Sequence, residues 1–153
     1  MSSLIMVTQG LLTLAFVLVL VFTPKISLFG GERGIGIVVV LIGAGILAAA
    51  VAAYRETLGT FIVKPTPEPS ARGGLITRGV YGWIRHPFYA VTPLILTGTA
   101  LITRRPWGLA MIPPVVGFLY LKSSFEEKLL TAKFPEYTEY RARTGRFLPR
   151  LKK

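Results

Sequence analysis

Two long apolar runs without a charged side chain constrain this chain more than any other feature. Residues 4–22 and 35–53 are each 19 residues long and contain no Asp, Glu, Lys or Arg. As α-helices they would be about 28 Å long, which is close to the hydrocarbon thickness of a bilayer. Each run is therefore predicted to be a transmembrane helix. The first run lacks the cationic start and small-residue cleavage site of a signal peptide, so we expect it to be retained.

Two shorter apolar stretches follow, at residues 88–102 and 107–121. The Arg- and Pro-containing segment between them, residues 103–106, is typical of a tight turn, so the two stretches are predicted to form a helical hairpin. Residues 122–134 have helix-forming composition and an apolar face, which predicts that the second arm continues beyond the membrane. The small residues Gly45, Ala49 and Ala53 recur every four positions in the second run, a spacing that favours close helix packing.

These segments predict an all-α integral membrane protein with about four transmembrane helices. The last two would form the short hairpin, continuing into a cytoplasmic amphipathic helix. The chain then divides into residues 1–53, two N-terminal transmembrane helices, and residues 54–153, a core that holds the polar segments. Cysteine is absent from the sequence, which excludes both a disulfide framework and a thiolate metal site.

The distribution of basic residues predicts the orientation. With four crossings, residues 54–87 and 122–153 lie on the same side as both chain ends and contain 14 of the 18 Lys and Arg residues. The positive-inside rule places that side in the cytoplasm. The formal net charge is +11, but no aromatic-basic recognition module accompanies it, so we expect contact with anionic lipid headgroups and no nucleic acid partner.

The chemically richest stretch follows a Pro- and Gly-rich loop at residues 64–74. Residues 75–89 contain the only histidine, His86, together with one of two tryptophans and two of six tyrosines. Considered alone, these are interfacial anchors and an aromatic belt at a membrane boundary. The pair Glu126-Glu127 on the cytoplasmic helix, considered alone, is a solvated face.

Taken together and in order, these motifs resemble the isoprenylcysteine carboxyl methyltransferase family and its phospholipid methyltransferase relatives. The resemblance covers about residues 55–150, whereas the first two helices match only in hydropathy. The motifs are Leu75-Ile76-x-x-Gly79-x-Tyr81-x-x-x-Arg85-His86-Pro87-x-Tyr89, Glu126-Glu127-x-x-Leu130, Phe134-x-x-Tyr137-x-x-Tyr140 and Phe147-Leu148-Pro149.

The resemblance implies a methyltransferase core in residues 54–153, with S-adenosylmethionine as methyl donor and S-adenosylhomocysteine as product. A carboxylate such as Glu126 accepts hydrogen bonds from ribose hydroxyls or offsets a sulfonium charge, aromatic rings suit adenine, and Arg or His pairs with a carboxylate. The predicted donor-binding residues are Leu75, Ile76, Tyr81, Arg85, His86, Pro87, Phe88, Tyr89 and Glu126.

The resemblance also implies a lipophilic or lipidated acceptor, of which the carboxylate of an isoprenylcysteine-like molecule is the first candidate. The family's substrate-contacting Arg corresponds here to Lys122. A lysine ammonium is a point charge, whereas a guanidinium group can form two parallel hydrogen bonds to a carboxylate. An amine or thiol acceptor would need a proton removed, for which Glu127 and His86 are the nearest candidates. Lys122 and Glu127 are therefore the predicted catalytic residues.

Three alternatives remain at this point. A phospholipid N-methyltransferase has the same motifs, and an NADPH-dependent sterol-reductase-like membrane enzyme has a similar C-terminal arrangement. A non-catalytic four-helix membrane protein would need none of these motifs. The compact Arg-His-Pro-x-Tyr and Glu-Glu motifs favour the methyltransferase.

Overall fold

The computed structural model describes residues 2–24, 33–62 and 75–150, and this part of the chain is helical without a β-strand. The predicted all-α class is therefore confirmed for these residues. The loop at residues 64–74, including Ser70, lies outside the described residues. The helices are α1 (Ser2–Phe22), α2 (Arg33–Ile62), α3 (Pro87–Ile102), α4 (Trp107–Ala110), α5 (Ile112–Lys133) and α6 (Tyr137–Arg143), with a 3₁₀ turn at Gly79–Gly82 before α3.

Two segments are long and apolar enough to cross a membrane, Ile37–Leu58 and Trp107–Lys133. Two further helices, Val7–Phe22 and Pro87–Ile102, are apolar but shorter. All four predicted apolar runs thus contain helix, and a membrane protein is supported by length and composition. The number of crossings and their orientation stay predictions.

Helices α2 and α3 pack closely where two glycines face each other. A Cβ atom added at Gly98 would lie 2.9 Å from the Gly43 carbonyl oxygen and 2.9 Å from Leu47 Cβ. The contact face of α2 therefore contains Gly43 and Leu47. The small residues Gly45, Ala49 and Ala53, whose spacing predicts close helix packing, do not lie on this face: all three are exposed, and Gly45 has nothing within 4 Å of its missing side chain.

The second arm of the predicted hairpin is interrupted at Met111, between α4 and α5. Pro113 and Pro114 lie in the first turn of α5, where backbone N–H groups have no partner inside the helix and proline is tolerated. Beyond this break α5 runs unbroken to Lys133, as the composition of residues 122–134 predicted. One continuous helix thus connects the apolar interior to the polar segments.

Candidate functional site

One stripe of α5 changes from apolar to polar along its length. Val115, Leu119, Ser123 and Glu127 are all buried and recur every four residues, which places them on the same side of the helix. Glu127 is only 2% exposed. A buried carboxylate is costly unless it is paired, so its partners determine how this end of the protein is built.

Three guanidinium groups surround Glu127. Arg85 Nε lies 2.8 Å from its Oε1 oxygen, while Arg146 Nη2 and Arg141 Nε lie 3.1 and 3.6 Å from its Oε2 oxygen. Arg85 comes from the segment before α3, Arg141 from α6 and Arg146 from the segment after α6. One carboxylate therefore ties three separate parts of the chain together.

Backbone hydrogen bonds align the two segments that carry these arginines. Ile84 and Gly145 form a parallel bridge, in which the Arg85 N–H donates to the Gly145 carbonyl at 2.9 Å. The His86 N–H donates to the Arg146 carbonyl at 3.0 Å, and the Arg85 side chain donates to the Thr144 carbonyl. The backbone of His86 is thus held against the C-terminal segment.

His86 lies between the two adjacent glutamates. Its Nε2 is 3.3 Å from Glu127 Oε1 and its Nδ1 is 3.7 Å from Glu126 Oε2. Burial lowers the pKa of His86, although both glutamates oppose the shift. The guanidinium groups around Glu127 already offset its charge, so a further cation on the imidazole is disfavoured. We therefore assign a neutral ring that donates from Nε2 and leaves Nδ1 unprotonated.

Glu126 differs from its neighbour in being accessible. Its side chain is 36% exposed, and its Oε1 accepts a hydrogen bond of 2.7 Å from the Tyr89 hydroxyl. The Tyr89 ring in turn stacks on His86, with centroids 5.3 Å apart and planes 7° from parallel. The two glutamates therefore have different surroundings: Glu127 is enclosed by arginines, whereas Glu126 has an edge that a ligand can reach.

An apolar cavity of about 480 Å³ lies next to this cluster, within the usual size range of small-molecule sites. Tyr89 and Phe88 belong to its wall, so Tyr89 is shared between the cavity and the polar cluster. The remaining lining residues are Gln9, Leu12, Thr13, Phe16, Tyr54, Thr92, Leu96, Val115, Phe118 and Leu119.

Lys122 lies where the cavity meets the cluster. Its Nζ is 5.1 Å from the centroid of the Tyr89 ring and 2.7 Å from Gln9 Oε1. The predicted position of Lys122 one turn before Glu126 on a single helix is thus observed. Its predicted role toward an acceptor stays a prediction.

The structure brings together most of the residues that the sequence singled out. Arg85, His86, Tyr89, Glu126 and Glu127 are joined by direct contacts. The others lie around them. Phe88 lines the cavity, Pro87 begins α3, and the carbonyl of Tyr81 accepts a hydrogen bond from Tyr140. Leu75 is half-buried and Ile76 is exposed, and their part in donor binding stays a prediction.

Sequence reasoning missed Arg141 and Arg146. Arg146 donates to Ser124 Oγ at 2.8 Å and lies 4.6 Å above the Tyr120 ring, so it connects the C-terminal segment to α5. Both arginines belong to a basic run that also contains Arg143, which is 60% exposed and pairs, among the described residues, with the exposed Glu139 at 4.0 Å. Nothing in the local pattern separates the arginines that contact Glu127 from Arg143.

Comparison with known families decides the class of protein to which this arrangement belongs. Residues 32–137 match the phospholipid methyltransferase family, a stretch that includes α2, α3, α5 and both glutamates. The chain belongs to this family of membrane methyltransferases. The resemblance inferred from the motifs is thereby confirmed, and α1 and the C-terminal arginines lie outside the matched range.

Two curated relatives are named as metal-resistance proteins. The cobalt-zinc-cadmium resistance protein CzcN of Cupriavidus metallidurans is 33% identical over 78 residues, covering 50% of this chain and 36% of that protein. The nickel-cobalt-cadmium resistance protein NccN of Alcaligenes xylosoxydans xylosoxydans is 32% identical over 80 residues, covering 50% of this chain and 37% of that protein.

The chain thus aligns with little more than a third of each relative's length. Among the described residues, no three His, Asp or Glu side chains are grouped so that they could hold a metal ion. No solved structure matches this chain.

Proposed function

We propose that this protein transfers a methyl group from S-adenosylmethionine to the carboxylate of a lipophilic, isoprenylcysteine-like acceptor. The proposal is carried by the position of Tyr89. Its ring stacks on His86, its hydroxyl bonds to Glu126, and its side chain also lines the apolar cavity. A donor held by the polar cluster and an acceptor tail in the cavity would therefore both contact Tyr89. This shared contact would bring donor and acceptor next to each other.

The chemistry of the cluster suits the proposed donor. The accessible carboxylate of Glu126 would accept hydrogen bonds from ribose hydroxyls or offset a sulfonium charge. The arginines near Glu127 leave this region positively charged, which favours the donor's carboxylate. Glu127 itself contacts three guanidinium groups, so we assign it a positioning role rather than that of a base.

Bound S-adenosylmethionine supplies an electrophilic methyl group, whose bond to sulfur breaks as the bond to the acceptor oxygen forms. A carboxylate is already a nucleophile, so no protein base is needed. The protein's contribution is alignment of the reacting atoms and exclusion of water, and such positioning can supply about 7 to 11 kcal/mol. The cavity would hold the apolar tail while Lys122 attracts the carboxylate.

Donor binding is the direct test of this proposal. We expect His86→Ala and Glu126→Ala each to weaken S-adenosylhomocysteine binding at least tenfold in isothermal titration calorimetry, because both residues face the same site. Glu139→Ala is the matched control, since Glu139 is 83% exposed and its ion pair within the described ranges is the one with Arg143 at 4.0 Å. If both test variants bind within twofold of the wild type, a difference of about 0.4 kcal/mol, the donor does not bind here.

Phospholipid N-methylation is a second candidate, favoured by the description of the matched family. The amine would lose its proton before attack, and the unprotonated Nδ1 of His86 is the nearest base. Variants of Lys122 distinguish the two candidate functions. Lys122→Ala should strongly reduce turnover of a prenylcysteine analogue while Lys122→Arg retains much of it. The removal of a nearby cation should leave turnover of an amine acceptor unchanged or raise it.

A further inference from the structure

Helix α1 contacts Lys122 at the polar end of the cavity through Gln9. The amide oxygen of Gln9 accepts a hydrogen bond of 2.7 Å from Lys122 Nζ, although 113 positions separate the two residues. Gln9 also lines the cavity. α1 precedes the range that matches the family, so the family match assigns it no role.

Two neutral groups hold the Lys122 ammonium in place. Gln9 contacts it on one side, and the Tyr89 ring lies 5.1 Å away on another. Within the described part of the chain, Lys122 Nζ forms no ion pair with a carboxylate oxygen within 4.0 Å. The ammonium is therefore held in position, and no carboxylate among the described residues lies within 4.0 Å to neutralise its charge. Beside an apolar cavity, such a charge favours a ligand that brings an anionic oxygen.

We propose that Gln9 is a specificity-determining residue, which holds Lys122 at the cavity mouth so that the site selects lipophilic acceptors with an anionic oxygen. This inference rests on the proposed methyltransferase function. A glutamate at this position would reach equally far but would neutralise the ammonium. The neutral amide positions the cation and leaves its charge for the acceptor.

The decisive variant is Gln9→Glu, because it changes charge at nearly constant size. With N-acetyl-S-farnesylcysteine as the carboxylate acceptor, we expect KM to rise at least tenfold. We expect kcat and the Kd for S-adenosylmethionine to stay within twofold, because Gln9 has no contact with His86 or Glu126. Gln9→Met, which removes the hydrogen bond without adding charge, should raise KM about three- to tenfold.

A double variant tests whether Gln9 acts through Lys122. In a Lys122→Met background, Gln9→Met should cause no further rise in KM, because the ammonium that it positions is gone. Leu11→Met is the control on the same helix, since Leu11 is 60% exposed and does not line the cavity. It should leave all three constants unchanged.

The outcomes separate this inference from the proposed function. An unchanged KM in both Gln9→Glu and Gln9→Met overturns the inference. The inference is also overturned if the protein methylates phosphatidylethanolamine but not the carboxylate acceptor, and if Gln9→Glu leaves the KM for phosphatidylethanolamine unchanged. A parallel fall in kcat and donor affinity would show a structural role and would also overturn it. If Gln9→Glu fails to fold, Gln9→Met and the double variant decide. Absence of S-adenosylmethionine binding to the wild type would instead refute the proposed function.

Discussion

Arg85 Nε and Glu127 Oε1 lie 2.8 Å apart, although 42 positions separate the two residues in the chain. The same carboxylate contacts His86, Arg141 and Arg146. The segment before α3, helix α5 and the C-terminal segment therefore converge on one buried charge. This convergence holds His86 against Glu126. The candidate donor site therefore depends on Glu127, which is itself buried among arginines.

Loss of Glu127 should destabilise the protein more than loss of any exposed glutamate. Glu127→Ala leaves the guanidinium groups of Arg85 and Arg146 without their carboxylate partner in a buried site, and such a loss typically costs about 3 to 5 kcal/mol. Thermal denaturation in detergent, followed by circular dichroism, measures the effect. Glu139→Ala, at the exposed ion pair with Arg143, should be nearly neutral. Equal midpoints for the two variants would contradict the anchoring role of Glu127.

The loss of folding stability at acidic pH should depend on His86. Because burial lowers the pKa of His86 below its usual 6.5, the fold favours the neutral ring, and this contribution to stability is complete above pH 6.5. It is lost progressively as the pH falls below 6.5 toward the pKa in the folded state. No other histidine titrates in this window.

Thermal midpoints measured from pH 7.5 to 5.5 test the assignment of a neutral His86. The wild type should lose more stability over this range than His86→Gln, whose side chain does not titrate. Parallel curves for the two proteins would mean that the pKa of His86 is the same in the folded and unfolded states.

The contact between α2 and α3 should tolerate no side chain at Gly98. An alanine there would press its Cβ against the Gly43 carbonyl and Leu47, and such overpacking typically costs about 1 to 3 kcal/mol. Gly45→Ala is the matched control in α2, where the space is open and helix propensity favours alanine by about 1 kcal/mol. The two variants should shift the thermal midpoint in opposite directions, and a stabilising Gly98→Ala would refute this packing.

Labelling of single cysteines tests the membrane topology predicted from the distribution of charge. The chain contains no cysteine, so Ser70→Cys and Arg104→Cys each introduce one thiol. A membrane-impermeant maleimide applied to intact cells should label the cysteine at 104, in the turn after α3, and not the cysteine at 70. Labelling of the cysteine at 70 from outside would overturn the predicted orientation.

Much of the site was predictable because its motifs are local in sequence. The segment from Arg85 to Tyr89 and the pair Glu126-Glu127 could be recognised as parts of one site, since a hairpin between them brings its ends together. The enclosure of Glu127 by three guanidinium groups was not predictable. Adjacent residues on a helix point about 100° apart, so Glu127 faces the arginines while Glu126 keeps an accessible edge.

The sequence by itself determined the helical class and the family, because apolar run length and ordered motifs are properties of the chain alone. Only the tertiary structure decided which glycine of α2 meets Gly98, which arginines contact Glu127, and that Gln9 reaches Lys122. Each of these contacts depends on the rotation of one helix against a distant segment. That rotation is set by packing across the whole protein, and no local pattern encodes it.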